Sequence, residues 1–179
     1  MCRARIRVPD QWYGDYLAGL GSARVAERRL EAFCEKYGKD TVKTFMREWF
    51  DYSERRMIDN IRKLPKAKLV NKGRSDPLEG MLPDGLEITV KLEIDPEAAE
   101  IHVDLSENPP SVDAGLNTSL GSATSAVVGA IFNALDKDLP RNEGSFRRLH
   151  FKYAEDSVVA ALTFPHSCSV STTNVSERL

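Results

Sequence analysis

The sequence predicts an α+β fold in which an N-terminal antiparallel helical hairpin precedes a mostly antiparallel sheet with a packed helix. Apolar residues recur at helical spacing over residues 11–64, and two segments with strand-like alternation follow within residues 86–105. Of the 179 residues, 41% are hydrophobic and 29% charged, which suffices for one domain with a core or for two small lobes.

The N-terminal part is predicted to form two long helices. The first spans residues 11–37 and stops near Gly38, and the second runs from about residue 40 to 64 and is closed by Pro65. Because long helices with a short joint tend to pack antiparallel, we expect their apolar stripes to bury each other. The buried residues expected in this pair are Phe45, Trp49, Met57 and Ile61.

A change of charge separates this helical part, residues 1–65, from the remainder. Residues 62–74 contain six Lys or Arg and no acid, whereas residues 76–107 contain ten acids and one Lys. The basic stretch is either a surface that binds phosphate or a partner, or a solvated linker beside a helix C-terminus, and the linker is favoured. Residues 66–85 are therefore predicted to be a connector, and residues 86–179 an α/β portion that is truncated at its C-terminus.

The second part of the chain combines strand and helix patterns. Residues 86–94 and 99–105 alternate apolar and polar side chains, and Asp95–Ala98 between them has the length of a hairpin turn. A helix and two further strands are predicted after them, over residues 119–135, 146–153 and 157–164.

Charge and cysteine usage exclude several functional classes. A net charge of −2 gives no reason to expect nucleic acid or a membrane as partner, and no apolar run reaches membrane-spanning length. The three cysteines, Cys2, Cys34 and Cys168, are odd in number and far apart. They indicate reduced thiols and a cytoplasmic protein.

Motifs for cofactors are missing. The sequence contains neither the G-x-x-x-x-G-K-[ST] nor the G-x-G-x-x-G pattern of nucleotide-binding loops. His102 and His150 are expected on exposed strand faces, and His166 with the nearby Cys168 lacks the rest of a tetrahedral ligand set. We therefore expect no cofactor and no metal site within this chain.

Candidate catalytic groups lie at the ends of the predicted elements. Asp104 ends a strand and is a candidate base or orienting carboxylate, while Asn117 and Asn142 are candidate amide donors to a substrate. Ser119, where the helix begins, is a candidate substrate-binding hydroxyl. The alternative is ordinary turn and cap chemistry, which these residue types favour.

A second candidate site is the polar segment Phe164–Asn174. His166 and Ser167 are its candidate catalytic groups, and Thr172, Thr173 and Asn174 its candidate substrate-binding groups, because hydroxyls and a helix N-terminus can hold a carboxylate or an oxyanion. The alternative is a polar loop that caps a following helix. Adjacency of His166 and Ser167 in sequence does not establish a catalytic triad.

Several of these segments together resemble the hydantoinase B/oxoprolinase family, the B-type subunits of ATP-dependent hydantoinases, oxoprolinases and acetone or acetophenone carboxylases. The resemblance covers most of the chain and depends on combined motifs. They are Trp12–Asp15, Arg24–Arg29, Tyr52–Met57, Val103–Leu105, Gly115–Asn117, Pro140–Gly144 and Thr172–Asn174.

The resemblance implies a two-part reaction. A hydantoinase A-type nucleotide-binding subunit uses ATP, and a divalent metal is a further candidate cofactor of the complete complex. The B-type subunit completes cyclic amide hydrolysis or ketone carboxylation in a hetero-oligomer. The residue pattern of Phe164–Asn174 is more similar to that of the carboxylases than to that of the hydrolases in this family. The chain is expected to be an internal fragment that is inactive alone. The alternative function is a catalytically inert assembly module that docks the nucleotide-binding subunit, which an exposed apolar patch on residues 11–64 would support.

Overall fold

The structure, a computed structural model, describes residues 2–6, 8–80, 82–161 and 175–179. It divides into two compact units, Met1–Trp49 and Phe50–Leu179, so that the division falls within a helix. In the described part of the chain, no helix has the length and apolarity needed to span a bilayer. The predicted α+β class is confirmed.

The N-terminal unit consists of a short 3₁₀ turn (Cys2–Arg5), helix α1 (Pro9–Tyr37) and the first half of helix α2. The whole of α2 spans Lys39–Ile61. Gly38 ends α1 with φ of 86°, a conformation that glycine adopts without strain, as predicted for this stop. The predicted mutual burial is wrong for this unit. No residue of α1 is buried, and the Phe45 and Trp49 side chains are 60% and 43% exposed.

The C-terminal unit contains the second half of α2, a four-stranded sheet and two further helices. The strands are β1, Ala67–Arg74, β2, Glu87–Asp95, β3, Glu100–Leu105, and β4, Leu149–Tyr153. The helices are α3, Leu120–Ala134, and the single turn α4, Glu143–Phe146. The predicted turn after β2 is confirmed, with the Asp95 carboxylate accepting hydrogen bonds from the Glu97 and Ala98 amides at 2.9 and 3.1 Å.

The sheet order is β1-β2-β3-β4, antiparallel except for the parallel pair of β3 and β4. Strand β1 lies within the stretch for which the sequence predicts a connector. Its lysines pair with acids on β2, where Lys68 and Lys72 meet Glu93 and Glu87 at 2.9 and 2.8 Å. The basic stretch is therefore largely a charged edge strand, a common protection against edge-to-edge association.

One face of the sheet forms the core. Alternate residues of β3 point inward, and α3 covers them with an apolar side of its own. Met57 and Ile61 of α2, both fully buried as predicted, complete this core. The other buried members include Ile88, Ile101, Val103, Leu105, Ala123, Val127, Ile131 and Phe132. The opposite face of the sheet carries polar and charged side chains and holds the features described next.

Candidate functional site

Asp104 lies on the charged face of the sheet, at the wall of an open groove of about 520 Å³. Its carboxylate accepts hydrogen bonds from the Ser106 hydroxyl and the Ser106 amide, the latter at 2.8 Å, and pairs with the Lys152 ammonium at 3.0 Å. These partners, the Ser106 hydroxyl foremost, lower the pKa of Asp104 to about 2. Such a carboxylate is a weak proton acceptor at neutral pH, which favours an orienting over a general-base role.

Asn117 is fully buried in the loop before α3. Its side-chain carbonyl accepts from the Val112 amide at 2.8 Å, and its amide donates to the carbonyls of Val112 and Ala114 at 2.7 and 3.0 Å. A primary amide has two hydrogens to donate, and both are directed at the main chain here. The side chain thus holds the loop that leads into the helix.

Ser119 is the N-cap of α3 and accepts a hydrogen bond from the Ser122 amide at 3.3 Å. The preceding residue, Thr118, bonds to the segment that follows β4, where the described residues 157–161 form a turn between two isolated bridges instead of the start of the predicted strand. The main-chain amide of Thr118 donates a hydrogen bond to the carbonyl of Val158 at 2.7 Å. The carbonyl of Thr118 accepts one from the amide of Ala161 at 3.0 Å. The described part of this segment ends at Ala161, beside the start of α3.

Two buried hydroxyls lie in the same neighbourhood. Thr118 Oγ1 and Ser157 Oγ have no hydrogen-bond partner among the described residues, although the two residues are 0% and 1% exposed. A buried hydroxyl without a hydrogen bond lowers the free energy of unfolding by about 1–3 kcal/mol, so we expect each of these groups to have a polar partner.

Asn142 caps α4 and joins it to α2. Its carbonyl accepts from the Gly144 amide at 2.9 Å, and its amide donates to the buried Ser53 hydroxyl at 2.8 Å. The backbone of α2 approaches so closely that a Cβ on Gly144 would lie 2.0 Å from the carbonyl oxygen of Phe50. The Tyr52–Met57 and Pro140–Gly144 motifs, far apart in sequence, therefore meet in space.

Charge reinforces this joint. Arg147 donates to Glu54 at 2.8 Å and to Asp51 at 3.1 Å, and Arg148 also binds Glu54. The hydrogen bond from Arg147 is the foremost cause that lowers the pKa of Glu54. Both arginines follow α4 directly, so the short helix is held to α2 from both of its ends.

The four described candidates do not converge on one cleft. The hydrogen bonds above tie each of Asp104, Asn117, Ser119 and Asn142 to its own set of neighbours. The hydrogen bonds given above for Asn117, Ser119 and Asn142 are those of cap and turn chemistry, the alternative that the sequence left open. The other candidates, His166, Ser167, Thr172, Thr173 and Asn174, lie outside the described residues.

A constellation that the sequence did not reveal lies on the charged face of the sheet. His102 on β3 is directly opposite His150 on β4, and Glu100 approaches both imidazoles. Spacing along the chain gave no sign of this cluster, because its two histidines belong to strands separated by α3 and α4. Only the parallel register of β3 and β4 brings them together.

Comparisons with known proteins agree with this architecture. A family model described as hydantoinase B/oxoprolinase matches residues 1–179. The chain is similar to an uncharacterized protein of Methanocaldococcus jannaschii, with 28% identity over 98% of this chain and 30% of that protein. It is also similar to the caprolactamase subunit beta of Pseudomonas jessenii, with 31% identity over 75% of this chain and 22% of that protein.

A solved structure extends the likeness to three dimensions. The crystal structure of the ATP-dependent caprolactamase from Pseudomonas jessenii matches with a TM-score of 0.74 and 26% identity, over 97% of this chain and 29% of that one. The chain thus spans less than a third of the length of these relatives.

Proposed function

Because the chain belongs to the hydantoinase B/oxoprolinase family, we propose that it is part of the B-type catalytic subunit of an ATP-dependent system that opens a cyclic amide. The observation that carries this proposal is the family match over the whole chain, together with the similarity in sequence and structure to an ATP-dependent caprolactamase. A cytoplasmic location belongs to the same proposal, and the free thiol of Cys34 is compatible with a reducing compartment.

The proposed reaction divides between two subunits. A hydantoinase A-type subunit would use ATP to phosphorylate the carbonyl oxygen of the substrate, which makes the carbonyl carbon more electrophilic. The B-type subunit would then assist the addition of water to that carbon and the cleavage of the ring C–N bond, which frees the amine and leaves an acyl phosphate. A second water molecule would hydrolyse the acyl phosphate to the carboxylate and inorganic phosphate. Donors aimed at the developing oxyanion are the expected contribution of the protein to this step.

The His166–Asn174 segment is the proposed location of the reacting groups, with His166 and Ser167 catalytic and Thr172, Thr173 and Asn174 in substrate binding. Two observations support this choice. First, the segment follows Ala161, whose amide is hydrogen-bonded to Thr118 just before the N-terminus of α3. Second, the buried hydroxyls of Thr118 and Ser157 have no hydrogen-bond partner among the described residues, and groups of the segment could supply one. Asn117, Ser119 and Asn142 are proposed to position the surrounding loops, and Asp104 to act as an orienting carboxylate.

Hydrolysis is the preferred branch. The residue pattern of Phe164–Asn174 favours ketone carboxylation, but one relative is named a caprolactamase, and a caprolactam is a cyclic amide. Carboxylation of a ketone stays the second possibility, because it also requires an activated carbonyl-derived oxygen to be stabilised while a bond forms to carbon.

A second candidate function, docking of the nucleotide-binding subunit by an otherwise inert module, is favoured by the N-terminal unit. Large apolar side chains remain exposed along α1 and the first half of α2. Many exposed apolar side chains on two helices are typical of surfaces that bind a partner. The exposed residues are Tyr13, Tyr16, Leu17, Leu20, Val25, Leu30, Phe33, Tyr37, Phe45, Met46 and Trp49.

Reconstitution tests both functions. The full B-type subunit that carries this chain is combined with its nucleotide-binding partner, and phosphate release and product are measured with a hydantoin, a lactam, or acetone plus bicarbonate. A ring-opened amino acid is the expected product, and a β-keto acid would instead assign the carboxylase branch.

Variants separate catalysis from docking in the same assay. Ser167→Ala should lower kcat by about 10²–10³ without loss of complex formation if the segment supplies an oxyanion donor. Phe45→Ser should weaken the complex and leave kcat at saturating partner unchanged. Full activity of the Ser167→Ala and His166→Ala variants would contradict the catalytic proposal and leave only the docking function.

A further inference from the structure

A small cluster of metal-binding side chains occupies the solvent-facing side of β3 and β4. His102 and His150 form a directly opposed pair in the parallel register of these strands. Glu100 precedes His102 by two residues, and alternate residues of a strand share a face, so all three side chains project to the same side. One ligand atom of each residue lies within 4.8 Å of those of the other two.

The distances fit a coordination sphere better than a set of hydrogen bonds. Nε2 of His102 is 3.2 Å and Nε2 of His150 is 3.4 Å from the Glu100 carboxylate oxygens, and the imidazole centroids are 4.7 Å apart. Charge-assisted hydrogen bonds are shorter, about 2.7–2.9 Å. Ligands bound at about 2.0–2.1 Å to a tetrahedral zinc ion are separated by about 3.3 Å, close to the observed nitrogen–oxygen distances.

Charge pairing on this face also distinguishes Glu100. Two neighbouring carboxylates have ammonium partners, Glu93 with Lys68 at 2.9 Å and Asp104 with Lys152 at 3.0 Å. Among the described residues, the ion-pair partners of Glu100 are the two imidazoles alone. This carboxylate therefore lacks a permanent positive charge, which a bound dication would supply.

We propose that Glu100, His102 and His150 form a zinc-binding site on the outer face of the sheet. Two imidazoles and one carboxylate are a ligand set that zinc accepts in proteins, with a fourth position left to water. The side chains are 30%, 49% and 43% exposed, so an ion reaches them without opening the fold.

The site would have two consequences. A bound ion would bridge β3 and β4, the parallel pair in the part of the sheet that the structure describes, and would stabilise the fold by mass action. His102 and His150 also line the groove that contains Asp104, so the water-bearing position would lie at the groove wall. The proposal concerns the face of the sheet opposite the core, and its test measures zinc binding without the amide-opening reaction.

The test uses the chain after removal of metal with a chelator. Titration calorimetry with Zn²⁺ should give one site per chain with micromolar affinity, and Co²⁺ should give the visible absorption of a tetrahedral complex. His102→Ala, His150→Ala and Glu100→Gln should each weaken binding by more than about 100-fold, since loss of second-shell partners alone costs about 10–100-fold. Each variant should retain the wild-type circular dichroism spectrum, because the three side chains lie on the surface.

His166→Ala is the matched control, since it removes the one histidine outside the cluster. Zinc should bind this variant as it binds the wild-type chain and should raise the melting temperature of both. No saturable zinc binding in the wild-type chain would overturn the proposal. Unchanged binding in His102→Ala, or loss of binding in His166→Ala with retention in the three cluster variants, would overturn it equally.

Discussion

The two halves of α2 carry one continuous apolar stripe but have opposite environments. In the second half, Met57 and Ile61 are fully buried, whereas Phe45 and Trp49 in the first half are 60% and 43% exposed. The stripe has the same helical spacing throughout. Periodicity therefore identifies the residues that share a face, but burial also requires a second surface that fits against that face.

The surface that buries the second half is visible in the C-terminal unit. Ser53 bonds to Asn142, Glu54 binds the arginines after α4, and Met57 and Ile61 enter the core beside β3 and α3. In the N-terminal unit, by contrast, helix α1 has no buried residue, so it does not form such a surface. The contrast agrees with the proposal that the first half of α2 serves an interface with a partner.

The sharpest way to test this contrast is to shorten one methionine in each half of α2. Met57→Ala should lower the free energy of unfolding by about 3 kcal/mol, because it leaves a cavity in the core. Met46→Ala removes the same atoms from a side chain that is 47% exposed. It should change the free energy of unfolding by less than about 0.5 kcal/mol. Urea denaturation followed by circular dichroism measures both, and equal losses would contradict the difference in burial.

The joint between α2 and α4 offers a second test, with a somewhat smaller effect. Gly144→Ala places a methyl group 2.0 Å from the Phe50 carbonyl oxygen, so the helix must shift, at a cost of about 2 kcal/mol. Gly129→Ala in α3 is the control, since nothing lies within 4 Å of its added Cβ. That substitution should stabilise the chain by about 0.5–1 kcal/mol through helix propensity. A neutral Gly144→Ala would show that the two backbones separate easily.

The elements that the sequence predicted correctly are those with strong local patterns. Strands β2 and β3, the turn between them and helix α3 each have a periodicity that needs no distant partner to be recognised. Cap chemistry was also visible, because Ser119 and Asn142 are residue types that favour helix starts. Their contacts with Ser122 and Gly144 realise the alternative that the sequence had left open.

The features that were missed depend on pairing between distant segments. Strand β1 has mostly exposed positions without clear alternation, so its strand character comes from its antiparallel register with β2. The cluster of His102 and His150 likewise requires the parallel register of β3 with β4. The convergence of the Tyr52–Met57 and Pro140–Gly144 motifs is a tertiary contact that neither motif encodes alone.

Acid titration should isolate the contribution of one charged group of the C-terminal unit, Asp104. The pKa of Asp104 is lowered from 3.8 to about 2 by the Ser106 hydrogen bonds and Lys152. The unfolded chain thus binds more protons between these values, so this contribution is present above about pH 4 and is lost as the pH falls towards 2. It amounts to about 1 kcal/mol after allowance for a side chain that is 32% exposed.

Denaturation of the wild-type chain and of Asp104→Asn between pH 2 and 7 measures this contribution. The difference in unfolding free energy should be largest near neutral pH and should shrink as the pH approaches 2. Asp113→Asn is the control, because Asp113 is exposed and has no ion pair among the described residues. A difference that stays constant over this range would assign the effect of Asp104→Asn to packing instead of charge.

A small effect on stability is expected at Trp49, the last residue of the N-terminal unit. Trp49→Ala should change the free energy of unfolding by less than about 1 kcal/mol, since the side chain is 43% exposed, whereas a buried tryptophan would cost about 3–5 kcal/mol. In a Trp12→Phe background, acrylamide should quench the remaining Trp49 emission efficiently. Addition of the nucleotide-binding subunit should then protect Trp49 and shift its emission to the blue. A large loss of stability, with emission that the partner leaves unchanged, would place Trp49 in a core of this chain and remove the main support for docking through α2.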